Sequence, residues 1–291
     1  MTVRSHLELP SGLVSYFDFR PDNSEFWAAG TVVLLHGGGT DSAALSWGEV
    51  GPRLAADGLR VIAPDHPGCG ESPLPTWRVT QQRLVAYVGE FIDGLGLDRY
   101  AIGGLSLGGA LSIGHVLDRP ERVTAALLLD SYGLMPRLPG GRQVLAWAMQ
   151  RTGALDVATR WMATNRAALT WSLKSLIRDP AQRSPELIAE IISAARQPGF
   201  VAFEQWQRDE MLWNRLKTDY TAQLASFPCP TLIIHGDRDA GVPVARARAA
   251  AALIPHAELK VVAGAGHWVQ RDQPDVVIAA MLDFLRRLPS R

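Results

Sequence analysis

Gly104-Leu105-Ser106-Leu107-Gly108 places a serine between two glycines, where an apolar strand pattern gives way to a helical one. Tyr100-Ala101-Ile102-Gly103 reads as the end of a buried strand. Gly109 to Leu117 reads as a helix. A serine on so sharp a strand-to-helix turn is held in strained backbone geometry with its hydroxyl pushed outward, and the glycines leave room for the turn and for close helix packing. The start of the helix offers unpaired N–H groups to a developing oxyanion. A glycine-rich turn with an incidental serine is the plain alternative for the pentapeptide alone.

Three other segments narrow that choice. Thr31-Val32-Val33-Leu34-Leu35 is a short β-branched run that empties into His36-Gly37-Gly38-Gly39, where small residues let backbone N–H groups approach a carbonyl. Thr231-Leu232-Ile233-Ile234 ends in His235-Gly236-Asp237-Arg238-Asp239, and Leu259-Lys260-Val261-Val262 runs into Gly264-Ala265-Gly266-His267-Trp268. A serine, an acid and a histidine thus each follow an apparent strand. In an open parallel sheet the carboxyl ends of the strands border the ligand site, so three strand ends can deliver these groups to one place.

A serine hydroxyl is a weak nucleophile near neutral pH and needs a base. His267 is the candidate base, and it in turn needs an acid to fix its tautomer. Asp237, Asp239 and Asp130, the last at the end of its own strand, are the candidate acids. The seven histidines show no ligand spacing such as His-x-x-x-His, so no metal is expected, and serine chemistry of this kind requires no organic cofactor.

Taken together, His36-Gly37-Gly38-Gly39, Asp65-His66-Pro67-Gly68-Cys69-Gly70-Glu71-Ser72, the Ser106 pentapeptide, Gly236-Asp237-Arg238-Asp239 and Gly266-His267 resemble the α/β-hydrolase superfamily, in the expected order along nearly the whole chain. The resemblance implies an α/β-hydrolase fold: a mostly parallel eight-stranded sheet flanked by helices, with an inserted helical cap. It implies Ser106, Asp239 and His267 as the catalytic residues, with Asp237 and Asp130 as alternatives for the acid. It implies backbone N–H groups of Gly38 and Leu107 as the oxyanion hole, with a register uncertain by one that keeps Gly37 and Gly39 in play. Gly37, Gly39 and Trp268 are the remaining candidate substrate-binding residues. His36, His235 and the Asp65-His66-Pro67-Gly68 turn read as structural.

The activity implied is hydrolysis of a small to medium, largely apolar carboxylic ester or lactone through an acyl-serine. The alternative is hydrolysis of a carbon–carbon bond in a vinylogous diketone from aromatic ring cleavage. The glycine run and His267-Trp268 followed by Gln270 resemble that subgroup, but Leu105 stands where the subgroup usually has asparagine. Enol-lactone hydrolases share the Gly-Leu-Ser-Leu-Gly-Gly form. Aminopeptidase and cofactor-free haloperoxidase readings carry lower weight. Relatives with aspartate in place of the serine, such as haloalkane dehalogenases, are disfavoured. A ligand-binding homologue without turnover is the reading from a different class.

Composition fits one such unit. Apolar residues make up 47% and charged residues 20%, and the formal net charge is zero, which provides no basic face for nucleic acid. The expected partner is a small-molecule substrate. No apolar run of about 18 residues suggests a membrane span, and the first residues lack the apolar core of a signal peptide. Cys69 and Cys229 do not make a disulfide framework, so a cytoplasmic location is the expectation. Residues 1–132 and 228–291 read as the sheet domain, beginning with a hairpin over Leu7 to Phe19 that turns at Pro10-Ser11-Gly12. Helix candidates there are Val50 to Asp57 and Val79 to Leu95; further strands are Leu59 to Ala63 and Ala125 to Leu129. Residues 133–227 read as an inserted helical cap, with candidates at Ala146 to Arg151, Val157 to Met162, Leu169 to Ile177, Pro185 to Arg196 and Phe203 to Leu216. The cap holds Trp147, Trp161, Trp171, Trp206 and Trp213; most are expected to pack between its helices, with one or two lining a pocket over Ser106. Gly140-Gly141 and Pro198-Gly199 are candidate flexible points.

Overall fold

Eight strands form one sheet in the order β1-β2-β4-β3-β5-β6-β7-β8 in a computed structural model that describes residues 1–21, 30–195 and 199–288. The strands are β1 Thr2–Leu9, β2 Gly12–Phe19, β3 Thr31–Leu35, β4 Arg60–Pro64, β5 Tyr100–Leu105, β6 Val123–Leu129, β7 Thr231–Gly236 and β8 Glu258–Val262. β1 and β2 form a hairpin closed through Pro10-Ser11, with Leu9 opposite Gly12, and β2 pairs antiparallel with β4. All other pairings are parallel. The inner strands read as near-continuous apolar runs because both faces of the sheet are covered. Val33, Leu35, Ile102, Leu128 and Ile233 point into one core, while Val32, Leu34, Ala101, Leu127, Leu129 and Ile234 point into the other. This is the period of two that a strand imposes on its side chains.

Helices α1 Ala43–Trp47, α2 Val50–Ala56, α3 Gln81–Gly94 and α4 Leu107–Asp118 lie among the first six strands. The side chain of Ser42 caps α1 and that of Thr80 caps α3, each accepting from a backbone N–H three residues on. Five helices follow β6: α5 Arg142–Arg151, α6 Ala154–Thr164, α7 Arg166–Leu176, α8 Pro185–Ala194 and α9 Gly199–Glu210. The chain then returns to β7 and closes with α10 Val244–Leu253, α11 Val269–Asp272 and α12 Pro274–Arg286. None of the described helices is long and apolar enough to cross a membrane.

The excursion between β6 and β7 is anchored unevenly. Leu169 and Leu173 of α7, with Leu187 and Ile191 of α8, join one core. Ala202 and Trp206 of α9 join the other. By contrast α5 buries only Gln143 and Gln150, and Val157 and Trp161 of α6 are exposed. The expectation that most tryptophans here pack between helices therefore does not hold. Trp161, Trp171 and Trp213 are largely exposed, and Trp206 is the buried one. The helix expected to run on to Leu216 stops at Glu210, and Met211 instead bridges to Leu216 in a short return. Gly140 and Gly141 both take positive φ at the entrance to α5, with nothing within 4 Å of a hypothetical Cβ. Pro198 and the expected helix end Arg196 lie outside the described residues.

Candidate active site

The strand order reverses between β3 and β5. β3 is flanked by β4 on one side and β5 on the other, and Leu35 lies opposite Gly104. The loops leaving these two strands must diverge, which opens a crevice at their carboxyl ends. Ser106 follows β5 directly, and the Gly37–Gly39 loop follows β3. Ser106 adopts φ 52 and ψ −112 and makes no side-chain cap to α4. A non-glycine residue with this backbone is strained, and such strain persists only where the surroundings over-determine it. Here they do. A Cβ on Gly108 would come within 2.2 Å of the Leu35 carbonyl oxygen, and one on Gly104 within 2.4 Å of the Gly108 carbonyl carbon. The elbow can be this tight only because both positions lack side chains. The Ser106 N–H donates to the Leu129 carbonyl at 2.9 Å and its carbonyl accepts from Tyr132 N at 3.0 Å, tying the turn to the end of β6.

The loops after β7 and β8 are laced together. Asp237 N donates to Val262 O and Arg238 N to Ala265 O, and a Cβ on Gly236 would lie 2.3 Å from Gly266 O. This lacing brings Asp239 to His267. His267 Nδ1 lies 2.8 Å from Asp239 Oδ2, while Asp239 Oδ1 accepts from Gly241 N at 2.7 Å and Val242 N at 3.0 Å. Burial raises the pKa of Asp239, but its hydrogen bond from His267 and the nearby positive charge outweigh burial and leave it below the ordinary value. Burial pushes His267 down, yet the Asp239 hydrogen bond and charge, with smaller contributions from Asp130 and Asp41, raise it above 6.5.

The other candidate acids sit elsewhere. Asp237 is exposed and accepts from Gly264 N. Asp130 is fully buried, accepts from Gly236 N and Val269 N, and faces His235 Nδ1 at 3.6 Å rather than forming a bond to His267. Burial drives its pKa well up. Asp130, His235 and Asp239 bring possible ligand atoms within 4.8 Å of one another. Asp130 takes two backbone N–H groups, Asp239 takes His267 and two more, and His235 Nε2 sits on Val242 O at 2.8 Å, so these bonds brace the loop after β7, while His235 Nδ1 has no hydrogen-bond partner.

Ser106, Leu107, Gly38 and His267 all line a cavity of about 250 Å³. Its remaining wall comes from the β6–β7 excursion and the β7 loop, through residues such as Tyr132, Met135, Phe203, Trp206, Glu210 and Val242. Leu107 is the first residue of α4, so its N–H has no intrahelical acceptor. Phe203 presses on the glycine loop so closely that a Cβ on Gly38 would fall 2.3 Å from its ring. Gly37 and Gly39 line a small neighbouring void together with His66 and Cys69 rather than the main cavity. Trp268 is not brought to the cavity wall. It is 6% exposed, its side chain belongs to the core shared with Leu169 and Leu173 of α7 and Met281 of α12, and its backbone N–H donates to Leu176 O at 2.9 Å.

Two buried acids that position the site carried no sequence signal. Asp41 takes Gly37 N at 2.6 Å, Ser42 N at 2.8 Å and Ser46 Oγ at 2.7 Å, fixing the glycine loop; burial raises its pKa to about 6 despite these bonds. Asp272 takes Gly266 N at 2.6 Å and Arg178 N and Asp179 N at 2.8 Å each, locking the His267 loop to the end of α7. Asp272→Ala strands three backbone donors and is expected to cost about 3 kcal/mol. A urea midpoint unchanged from the parent protein would refute that role.

The chain matches the alpha/beta hydrolase fold family over residues 30–274. It is 30% identical over 261 residues to the 2-hydroxymuconate semialdehyde hydrolase of Pseudomonas putida, covering 87% of this chain and 86% of that one. It is 29% identical to the 2-hydroxy-6-oxo-6-(2'-aminophenyl)hexa-2,4-dienoic acid hydrolase of Metapseudomonas resinovorans, covering 88% and 84%. Among solved structures, a meta-cleavage product hydrolase from Pseudomonas fluorescens IP01 superimposes with a TM-score of 0.80 at 25% identity, covering 98% of each chain. A carboxylesterase from Bacillus subtilis shares the fold with a TM-score of 0.73 at 21% identity, covering 98% of this chain and 92% of that one. The chain therefore belongs to the alpha/beta hydrolase fold family and is a serine hydrolase.

Proposed function

We propose that this protein hydrolyses an apolar carboxylic ester or lactone through an acyl-serine, with Ser106 as nucleophile, His267 as base and Asp239 as the acid that orients it. The observation that carries this reading is the 2.8 Å contact between His267 Nδ1 and Asp239, in a wall that also presents Ser106. His267 Nε2 is left to take the serine proton as the hydroxyl attacks the carbonyl. The resulting oxyanion is stabilised by the N–H groups of Leu107 and Gly38, which lie at a helix start and a side-chain-free loop. Collapse expels the alcohol with the proton from His267. Water, deprotonated by the same imidazole, then releases the acid. Residues 133–227 act as the cap that walls the acyl group from solvent.

The second reading is hydrolysis of a carbon–carbon bond, which the names of the relatives favour. Leu105 argues for esters. It is fully buried against the glycine loop and supplies no polar group beside the nucleophile. The test is steady-state hydrolysis of short p-nitrophenyl esters and lactones beside a dienone acid, with mass mapping of an organophosphonate adduct. Ester turnover with the adduct on Ser106 is expected. Turnover of the dienone acid alone would select the second reading. Neither turnover nor adduct would leave a binding protein.

A further inference from the structure

We infer that Glu210 is a specificity-determining residue of the cavity over Ser106, which accepts uncharged or cationic substrate groups and turns away carboxylates. The inference rests on the proposed hydrolysis at Ser106. Helix α9 supplies Phe203, Trp206, Gln207 and Glu210 to the wall. That spacing is the stripe one helical face presents. Phe203 and Trp206 stack with ring centroids 5.5 Å apart, so most of the stripe is apolar. Its last member is an acid only 1% exposed.

A buried carboxyl group is costly unless donors meet it. Three do. Thr218 N and Thr218 Oγ1 donate at 2.9 Å each, and Tyr132 Oη donates at 3.0 Å. All three are neutral, and among the described residues lining the cavity there is no lysine or arginine. The charge is solvated by these donors but not neutralised. Burial raises the pKa of Glu210, against the pull of its three donors. An ionised carboxylate offers about four acceptor positions, so one is left for a substrate N–H, hydroxyl or ammonium group.

With His267 neutral, as it must be to act as base, a second carboxylate entering this cavity meets a like charge in a poorly screened space whose described lining holds no lysine or arginine. Relatives of this chain are named for dienoic acid and dienoate substrates, which carry that group. Glu210 therefore points this site away from such acids and toward neutral esters. The same carboxyl also holds the turn after α9 through Thr218, beside the backbone bond from Lys217 N to the Glu210 main-chain carbonyl. A variant at Glu210 alone could fail through that turn, so a second substitution is needed.

The experiment compares kcat/KM for a p-nitrophenyl alkanoate and for the p-nitrophenyl monoester of the dicarboxylic acid of equal length, at mildly alkaline pH. The parent protein is expected to prefer the neutral ester by on the order of 100-fold, the cost of a like-charge contact. Glu210→Gln should shrink that ratio to about tenfold or less. Gln207→Arg, which puts a cation one turn away on the same stripe and leaves the turn intact, should shrink it too. A parent protein that cleaves both esters within threefold overturns the inference. So does an unchanged ratio in both variants. No turnover of either ester overturns the esterase reading itself, a result distinct from turnover without discrimination.

Discussion

Replacing Ser106 with alanine is expected to lower kcat on any ester by about 10⁴- to 10⁶-fold, the loss seen when an activated nucleophile is removed from a working triad. The size follows from the division of labour. The oxyanion donors and the cavity survive the substitution, so a residual acceleration over water remains, but no covalent intermediate can form. The change should leave the fold intact. Ser106 makes no side-chain cap to α4, its backbone bonds to Leu129 and Tyr132 do not involve the hydroxyl, and alanine bears the same Cβ at φ 52. Stability should move by less than about 1 kcal/mol, as for a substitution that removes no packed or bonded group. KM should stay within a few-fold, since ground-state contacts come from α9 and the β6 end. The organophosphonate adduct should vanish. A variant retaining a tenth of the parent kcat would remove Ser106 from the nucleophile role.

What the sequence made legible was the set of strand ends. Short β-branched runs followed by glycine are strong local signals, and β3, β4, β5, β6, β7 and β8 all lie within two residues of their expected limits. Ser106 and the His267 loop were legible for the same reason, since glycine spacing marks where backbone must pass close to backbone. Helices α10 and α12 left a weaker trace. The Ala-rich run of α10 shows little amphipathic contrast, and α12 starts at Pro274 directly after the one-turn helix α11. Glu210, Asp41 and Asp272 were invisible. A buried acid announces itself only through the donors around it, and those donors come from residues up to 94 positions away. The exposure of Trp161 and Trp171 was equally hidden, because periodicity says which residues share a helix face but not whether anything covers it.

Asp239→Asn is expected to lower kcat by about 10³- to 10⁴-fold while leaving the shape of the site unchanged, because an amide lets the imidazole settle in the wrong tautomer. The pH profile gives a second and independent readout. In the parent protein His267 must be neutral to act, and its pKa lies above 6.5, so kcat/KM should rise with pH through a midpoint above that value. The Asp239 hydrogen bond and charge are the largest contributions raising it, opposed by burial. Removing that charge lets burial prevail, so the midpoint of the residual activity should move to lower pH. Asp130→Asn makes the contrast. Asp130 adds only a smaller part of the charge that raises His267, and its contact is with His235 rather than His267. A loss of tenfold or less, with a nearly fixed midpoint, is expected for it. If Asp130→Asn proved the more damaging of the two and carried the shift in midpoint, the acid would have to be reassigned to the end of β6. The 2.8 Å contact would then be a structural clasp on the β7 loop.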